Sequence, residues 1–232
     1  MAASGRLPDR SAMSKRFDIV FLVSGLIVQV VVFWLAPTHW LSLVSGLLGI
    51  TAVILCSQGN IWTFAFGFGQ IVTYAILCWM ERFYAGIVMN VYYFATQIYG
   101  IYAWRQRLER DQKSEIRNQK SAIIVPRSMA IKPFVLVCAA MSVVSVGVGW
   151  LLSMYTNDSQ PYLDATTTIV SVVAQIMLVM AIRQQWWLWL FVDVLFVAMW
   201  IIAGNWSMVA QYGFWCINCV YGMLRWRALA TK

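Results

Sequence analysis

Eight apolar runs of 17 to 21 residues follow one another along this chain with little between them: residues 18–35, 41–57, 61–79, 84–104, 133–153, 165–182, 187–203 and 206–225. A helix of roughly 20 apolar residues matches the hydrocarbon thickness of a bilayer. In lipid the backbone must satisfy its own polar groups, so helices are the natural form for such runs. Composition closes off the soluble alternative. Of 232 residues, 61% are hydrophobic and 11% charged, where a soluble domain carries about a quarter charged. The sequence predicts an all-α integral membrane protein with eight transmembrane helices. The first run follows a basic head but precedes no small-residue cleavage site, and Pro37 and His39 lead directly into the next run. It reads as a retained helix, not a signal peptide.

Charge placement predicts the orientation, because Lys and Arg collect in cytoplasmic loops. With eight spans, 16 of the 17 basic residues fall on the side of the N-terminus. They occupy the head (1–17), the 105–132 linker, the turn at Arg183, and the C-terminal end with Arg225, Arg227 and Lys232. Only Arg82, beside Glu81, lies opposite. Both termini are therefore expected in the cytoplasm, and seven spans would put the basic C-terminus on the wrong side. The net charge of +8 is spread over loops. That pattern anchors loops to anionic lipid and lacks the folded basic module of a nucleic-acid binder.

The five cysteines do not make a metal site. Cys216 and Cys219 form C-x-x-C inside an apolar run, without a second ligand pair, and the only histidine, His39, is in a loop. The cysteines read as small apolar packing residues. An intramembrane enzyme would need clustered nucleophiles or paired carboxylates. One deep carboxylate and no intramembrane histidine do not supply them, so neither catalysis nor a cofactor is expected. A structural or interaction protein is the other-class alternative, which a binding assay would separate.

The runs divide as one extra helix (18–35), a triplet (41–104), the basic linker, a single helix (133–153), a second triplet (164–227) and a short tail (228–232). The triplets end alike, Tyr99–Arg105 as YGIYAWR and Tyr221–Arg227 as YGMLRWR, at an offset near 122 residues. One helix between them makes the two triplets run the same way. Parallel repeats of this kind build SWEET-type transporters, with the site at the repeat interface near midplane.

Polar residues in spans are costly and face the interior. Helical spacing groups them into stripes. Phe66, Gln70 and Tyr74 form one; Asn90, Tyr93, Gln97 and Trp104 another. Asp164, Thr168, Ser171 and Gln175 make a third, Trp186, Trp189, Asp193 and Trp200 a fourth, and Gln211, Trp215 and Asn218 a fifth. One such stripe could be interhelical glue. Five stripes, each with its polar residues and most with aromatics among them, predict a lined pocket. Trp187 lies off its stripe and reads as interfacial belt. Asp193 is the one acidic residue deep in a span, with no intramembrane base to pair with. It is expected to be protonated, bonded to neighbouring amides, or met by a cationic or hydroxyl-rich ligand. Indole faces attract flat cations, and a carboxylate accepts hydroxyls, so the expected ligand is flat, aromatic and polar at its ends. The expected substrate-binding set is Phe66, Gln70, Asn90, Tyr93, Gln97, Gln175, Trp186, Trp189, Asp193 and Asn218.

The W-x-x-W at Trp186–Trp189, the N-x-x-x-F-x-x-G at Asn60, Phe64 and Gly67, and the run Gln97–Trp104 (QIYGIYAW) resemble the PnuC family of bacterial vitamin transporters over roughly residues 41–227. The resemblance implies a SWEET-like 3+1+3 fold in the inner membrane, a homotrimer, and facilitated diffusion of nicotinamide riboside. It also implies trapping of the riboside by a separate cytoplasmic kinase. Relatives in the same family carry thiamine or riboflavin. The match to sugar SWEETs proper is poorer, since those place prolines within the triplet helices. Here Pro8, Pro37, Pro126, Pro133 and Pro161 all lie outside the triplet spans.

Overall fold

The computed structural model describes residues 10–37, 39–80, 84–113, 123–156, 160–202 and 206–230. The links at Glu81–Arg82 and Gly204–Asn205, and the side chains of Cys78 and Trp200, lie outside what is described. Eight helices appear among the described residues: α1 Arg10–Leu35, α2 Trp40–Ser57, α3 Thr63–Met80, α4 Tyr84–Lys113, α5 Ile131–Tyr155, α6 Pro161–Val179, α7 Gln185–Ile202 and α8 Trp206–Ala230. Each apolar run is a helix, as its length and hydropathy require. Three helices outrun the predicted spans. α1 starts within the basic head, α4 continues into the first part of the linker, and α8 continues to Ala230. Arg, Gln, Leu, Glu and Ala are good helix formers, so these helices persist beyond the apolar stretch. Pro161 sits at the start of α6, where its missing N–H costs nothing. His39 caps α2, its Nδ1 accepting from the backbone N of Leu41 at 3.2 Å.

Among the described residues, four helical stretches are both long and apolar enough to cross a membrane: Arg16–Leu35, Trp40–Ser57, Ile131–Tyr155 and Pro161–Val179. Shorter apolar stretches occupy α3 (Thr63–Leu77) and α7 (Gln185–Ala198). α1 and α5 are peripheral and present Ile27, Val31, Val143 and Val146 outward. Such apolar exteriors suit contact with lipid chains.

The middle helix of each triplet lies between the other two: α3 between α2 and α4, α7 between α6 and α8. The triplets meet along two seams, α2 with α8 and α4 with α6. α5 packs on α6, and α1 straddles the α2/α8 seam. Phe21 of α1 stacks on Phe214 of α8 at 5.2 Å, and Asp18 accepts from Arg225 at 3.0 Å and from the Tyr221 hydroxyl.

Local features recur at the offset that separates Trp104 from Trp226. Trp104 Nε1 donates to the Val179 carbonyl at the end of α6, and Trp226 Nε1 to the Cys56 carbonyl at the end of α2, each at 3.0 Å. Phe64 meets Trp104 edge to face, and Trp186 meets Trp226 edge to face, both at 87°. Gly100 passes beneath Phe64, and Gly222 beneath Trp186, closer than a Cβ would allow. The turns after α2 and α6 place Gly59 (φ 70°) and Ala181 (φ 53°) in the left-handed region, which glycine enters freely and alanine at a cost of about 1–2 kcal/mol. The linker then pairs with both turns, Ile123 with Asn60 and Arg127 with Ile182.

Candidate functional site

Asp193 is the charged residue this fold buries most conspicuously, at 4% exposure near the middle of α7. Its Oδ2 accepts from the Cys219 thiol of α8 at 3.4 Å. Among the described residues its donor is this thiol, not one of the amides the sequence suggested. Cys219 is thus more than an apolar filler, since a buried carboxylate needs even a weak S–H donor. Cys56, Cys138, Cys216 and Cys219 are all free thiols.

Two tyrosines from two other helices share the field of this carboxylate, and a third lies within theirs. Tyr93 of α4 and Tyr212 of α8 each interact electrostatically with Asp193 and with Tyr74 of α3. Ser171 of α6 lies beside Tyr93. Tyr212 stacks on Phe196 at 4.8 Å and meets Trp215 edge to face at 5.0 Å. The cluster therefore draws on both triplets. One of its members, Trp215, carries a buried Nε1 donor without a partner among the described residues, and Gln97 of α4 carries a buried Oε1 acceptor without one. Buried polar atoms are normally satisfied, so these two are available to a polar ligand.

The expected site residues divide. Tyr93 and Asp193 belong to the cluster. Trp189, one helical turn before Asp193, is half-buried and packs between the two largest core clusters. Asn90 is buried on α4. Gln97 lies with its amide against Gly67. Gln175 and Asn218 face the seams: Gln175 Nε2 donates to Thr96 Oγ1 at 3.2 Å across α6/α4, and Asn218 Nδ2 to the Val53 carbonyl at 3.3 Å across α8/α2. Gln70 turns toward α2, where its side chain lies over Gly49. Phe66 is half-buried on α3, and no described ring pair includes it.

Trp186 sits apart from the tyrosine cluster. It is the second residue of α7, 3% exposed, and pinned between Trp226 and Gly222. Seven residues separate it from Asp193, about 10 Å of helix rise. It packs in the fold's end layer, and its Nε1 is buried without a partner among the described residues. The phase of α6 also differs from the predicted stripe. Asp164 and Thr168 are exposed, while Thr167, Ser171 and Ala174 are buried. On α8 the inward row is Tyr212, Trp215 and Cys219. Reading α8 from Gln211 and Asn218 missed Tyr212 and Cys219. Their 3 and 4 spacing through Trp215 was the signal.

The motifs behind the resemblance are fold devices. Asn60 Oδ1 accepts from the Trp62 N–H at 3.0 Å and shapes the α2–α3 turn. Phe64 packs on Trp104, and Gly67 makes room for Gln97. Trp187 is half exposed, as a belt residue would be.

Comparison with known proteins agrees with this geometry. A family model described as nicotinamide mononucleotide transporter matches residues 39–228. The nicotinamide riboside transporter PnuC of Neisseria mucosa is 30% identical, with 93% of this chain and 82% of the relative covered. The protein of the same name from Haemophilus influenzae is 27% identical, covering 94% and 92%. The crystal structure of a vitamin B3 transporter, PnuC, superposes with a TM-score of 0.76 at 27% identity, covering 93% of this chain and 92% of that one. With a shared fold and a family match over most of its length, the chain belongs to the nicotinamide mononucleotide transporter family, a family of multi-pass membrane transporters.

Proposed function

We propose that the chain imports nicotinamide riboside across the bacterial inner membrane by facilitated diffusion. The observation that carries this reading is the buried Asp193 carboxylate among aromatic rings from both triplets, in a member of a family whose relatives bear that name. The riboside is a flat pyridinium cation on a ribose. Aromatic faces attract the cation, and a carboxylate can accept ribose hydroxyls or balance the ring charge. The unpartnered Trp215 donor and Gln97 acceptor suit the two ends of a carboxamide, and Asn90 and Trp189 complete the lining.

The mononucleotide fits the same residues less well. It adds a phosphate, and among the described residues no Lys or Arg is buried. A buried carboxylate without a compensating base disfavours that anion.

The arrangement proposed is eight spans with both termini cytoplasmic, the extra helix α1, and two parallel triplets (41–104 and 164–227) joined through α5. The paired tryptophan–carbonyl bonds, glycine contacts and left-handed turns at one common offset support the repeat. A homotrimer and trapping by a cytoplasmic kinase follow the family resemblance.

Uptake of labelled nicotinamide riboside into proteoliposomes tests the reading. With the membrane potential clamped at zero, facilitated diffusion predicts entry until inside and outside concentrations match, with no response to an imposed proton or sodium gradient. Accumulation above the outside concentration would contradict the mode. Absence of uptake would contradict the cargo.

A further inference from the structure

The described end of the linker does more than join the triplets. Ile124 is 0% exposed and sits in the end layer with Phe64, Trp104, Trp186 and Trp226, together with Cys219. That layer draws side chains from both triplets and includes the thiol that donates to Asp193. Ile124 thus stops the end of the interior nearest the linker.

The segment around it is tied to both triplets, unequally. At the first triplet, the Ile124 N–H donates to the Gly59 carbonyl at 2.7 Å, next to the Asn60–Ile123 bridge. At the second triplet the attachment is fuller. The Arg127 N–H donates to the Ala181 carbonyl at 2.7 Å, and the Arg183 N–H to the Arg127 carbonyl at 2.8 Å. The Gln184 amide grips the Met129 backbone on both sides, accepting from its N–H at 3.0 Å and donating to its carbonyl at 2.6 Å. Arg183 adds a bond to Ser128 Oγ at 3.2 Å.

Between the Ile124 and Arg127 anchors lie three residue steps, about 10 Å when extended. A segment that short cannot follow if the triplets separate at this end, so one anchor must release. The second-triplet anchor is reinforced by the side chains of Gln184 and Arg183. We propose that residues 123–129 are a gating strap: it stays hinged on the second triplet through Gln184, peels from Gly59, and withdraws Ile124 to open the path from the Asp193–Cys219 cluster. That this end faces the cytoplasm rests on the orientation proposed above.

Two measurements on the full chain test the strap. Asn60→Cys with Ile123→Cys places two thiols on bridge partners, whose spacing suits a disulfide. Oxidation should abolish riboside uptake into proteoliposomes and reductant should restore it, with each single variant as the control for native thiols. Undiminished uptake in the oxidised double variant overturns the proposal. The second measurement needs no substrate. With Cys56, Cys78, Cys138 and Cys216 replaced by alanine, the rate at which a small water-soluble maleimide labels Cys219 is recorded. Ile124→Gly, which removes the buried side chain, and Gln184→Ala, which removes the amide bonds to Met129, should each raise that rate about tenfold, the ratio that about 1.4 kcal/mol gives a local opening equilibrium. An unchanged rate in both variants overturns the strap. If the unmutated protein takes up no riboside, the cargo reading fails and the labelling rates still decide the strap.

Discussion

Replacing Asp193 by asparagine removes a charge and little else. The side chains are nearly isosteric, and the asparagine oxygen can still accept from the Cys219 thiol that lies 3.4 Å from Oδ2. Packing around the 4%-exposed position should survive. Two unit charges about 5 Å apart at an effective dielectric near 20 interact by about 3 kcal/mol. Desolvation of the carboxylate offsets part of that, leaving an expected loss of roughly 1–3 kcal/mol, about 5- to 150-fold in affinity, for the cationic riboside. A reduced, uncharged dihydropyridine riboside keeps the ribose and carboxamide and should bind the variant within about threefold of the unmutated protein, since it lacks the charge term. Isothermal titration of both ligands into both proteins separates the terms. Thermal unfolding of Asp193→Asn should be unchanged or higher, because a carboxylate in a spanning helix opposes folding. If the variant binds both ligands as tightly as the unmutated protein, the electrostatic role is refuted and Asp193 is a packing residue.

Gly222→Ala would put a methyl 2.6 Å from the Trp186 ring, which Trp226 holds from the other side; unfolding in detergent should show a loss of about 1–3 kcal/mol, as overpacking does. Gly147→Ala, with nothing near its added methyl, is the control and should stabilise by up to about 1 kcal/mol through helix propensity. Trp189→Ala should weaken riboside binding by about 1–3 kcal/mol through lost ring contact, whereas Trp187→Ala should leave it within about twofold, as expected for a belt residue; titration of the two variants would expose a reversed order. Reporter fusions after Lys232 and within 154–162 should report opposite sides of the membrane, and the same side for both would sink the eight-span orientation.

The helices were legible because run length and hydropathy are properties of the chain itself. Their ends were not, since Arg105–Lys113 is polar yet strongly helix-forming and continues α4 past the bilayer boundary. Burial of Asn90, Gln175, Asp193 and Asn218 was also legible, because a polar group in lipid must turn inward. Periodicity gives a residue's phase around its helix but not its depth or its neighbour. Trp186 and Asp193 share a face, yet one lies in the end layer and the other in the tyrosine cluster. Gln175 and Asn218 turn inward only as far as the seams, where each bonds a residue of the other triplet. Tyr212 and Cys219 were overlooked because neither tyrosine nor cysteine is costly enough in lipid to mark a helix's inner row. The like endings Tyr99–Arg105 and Tyr221–Arg227 were visible in sequence, whereas the likeness of the turns at Gly59 and Ala181, which have different residues, appears only in backbone angles.

The central claim is that this buried carboxylate-and-ring cluster takes nicotinamide riboside. Titrating nicotinamide riboside, nicotinamide mononucleotide, thiamine and riboflavin into the purified, unmutated protein tests it most directly. The account predicts saturable binding of the riboside, at least tenfold tighter than the mononucleotide because the phosphate meets a carboxylate and no buried base. Tighter binding of thiamine or riboflavin than of the riboside, or preference for the mononucleotide, would contradict it.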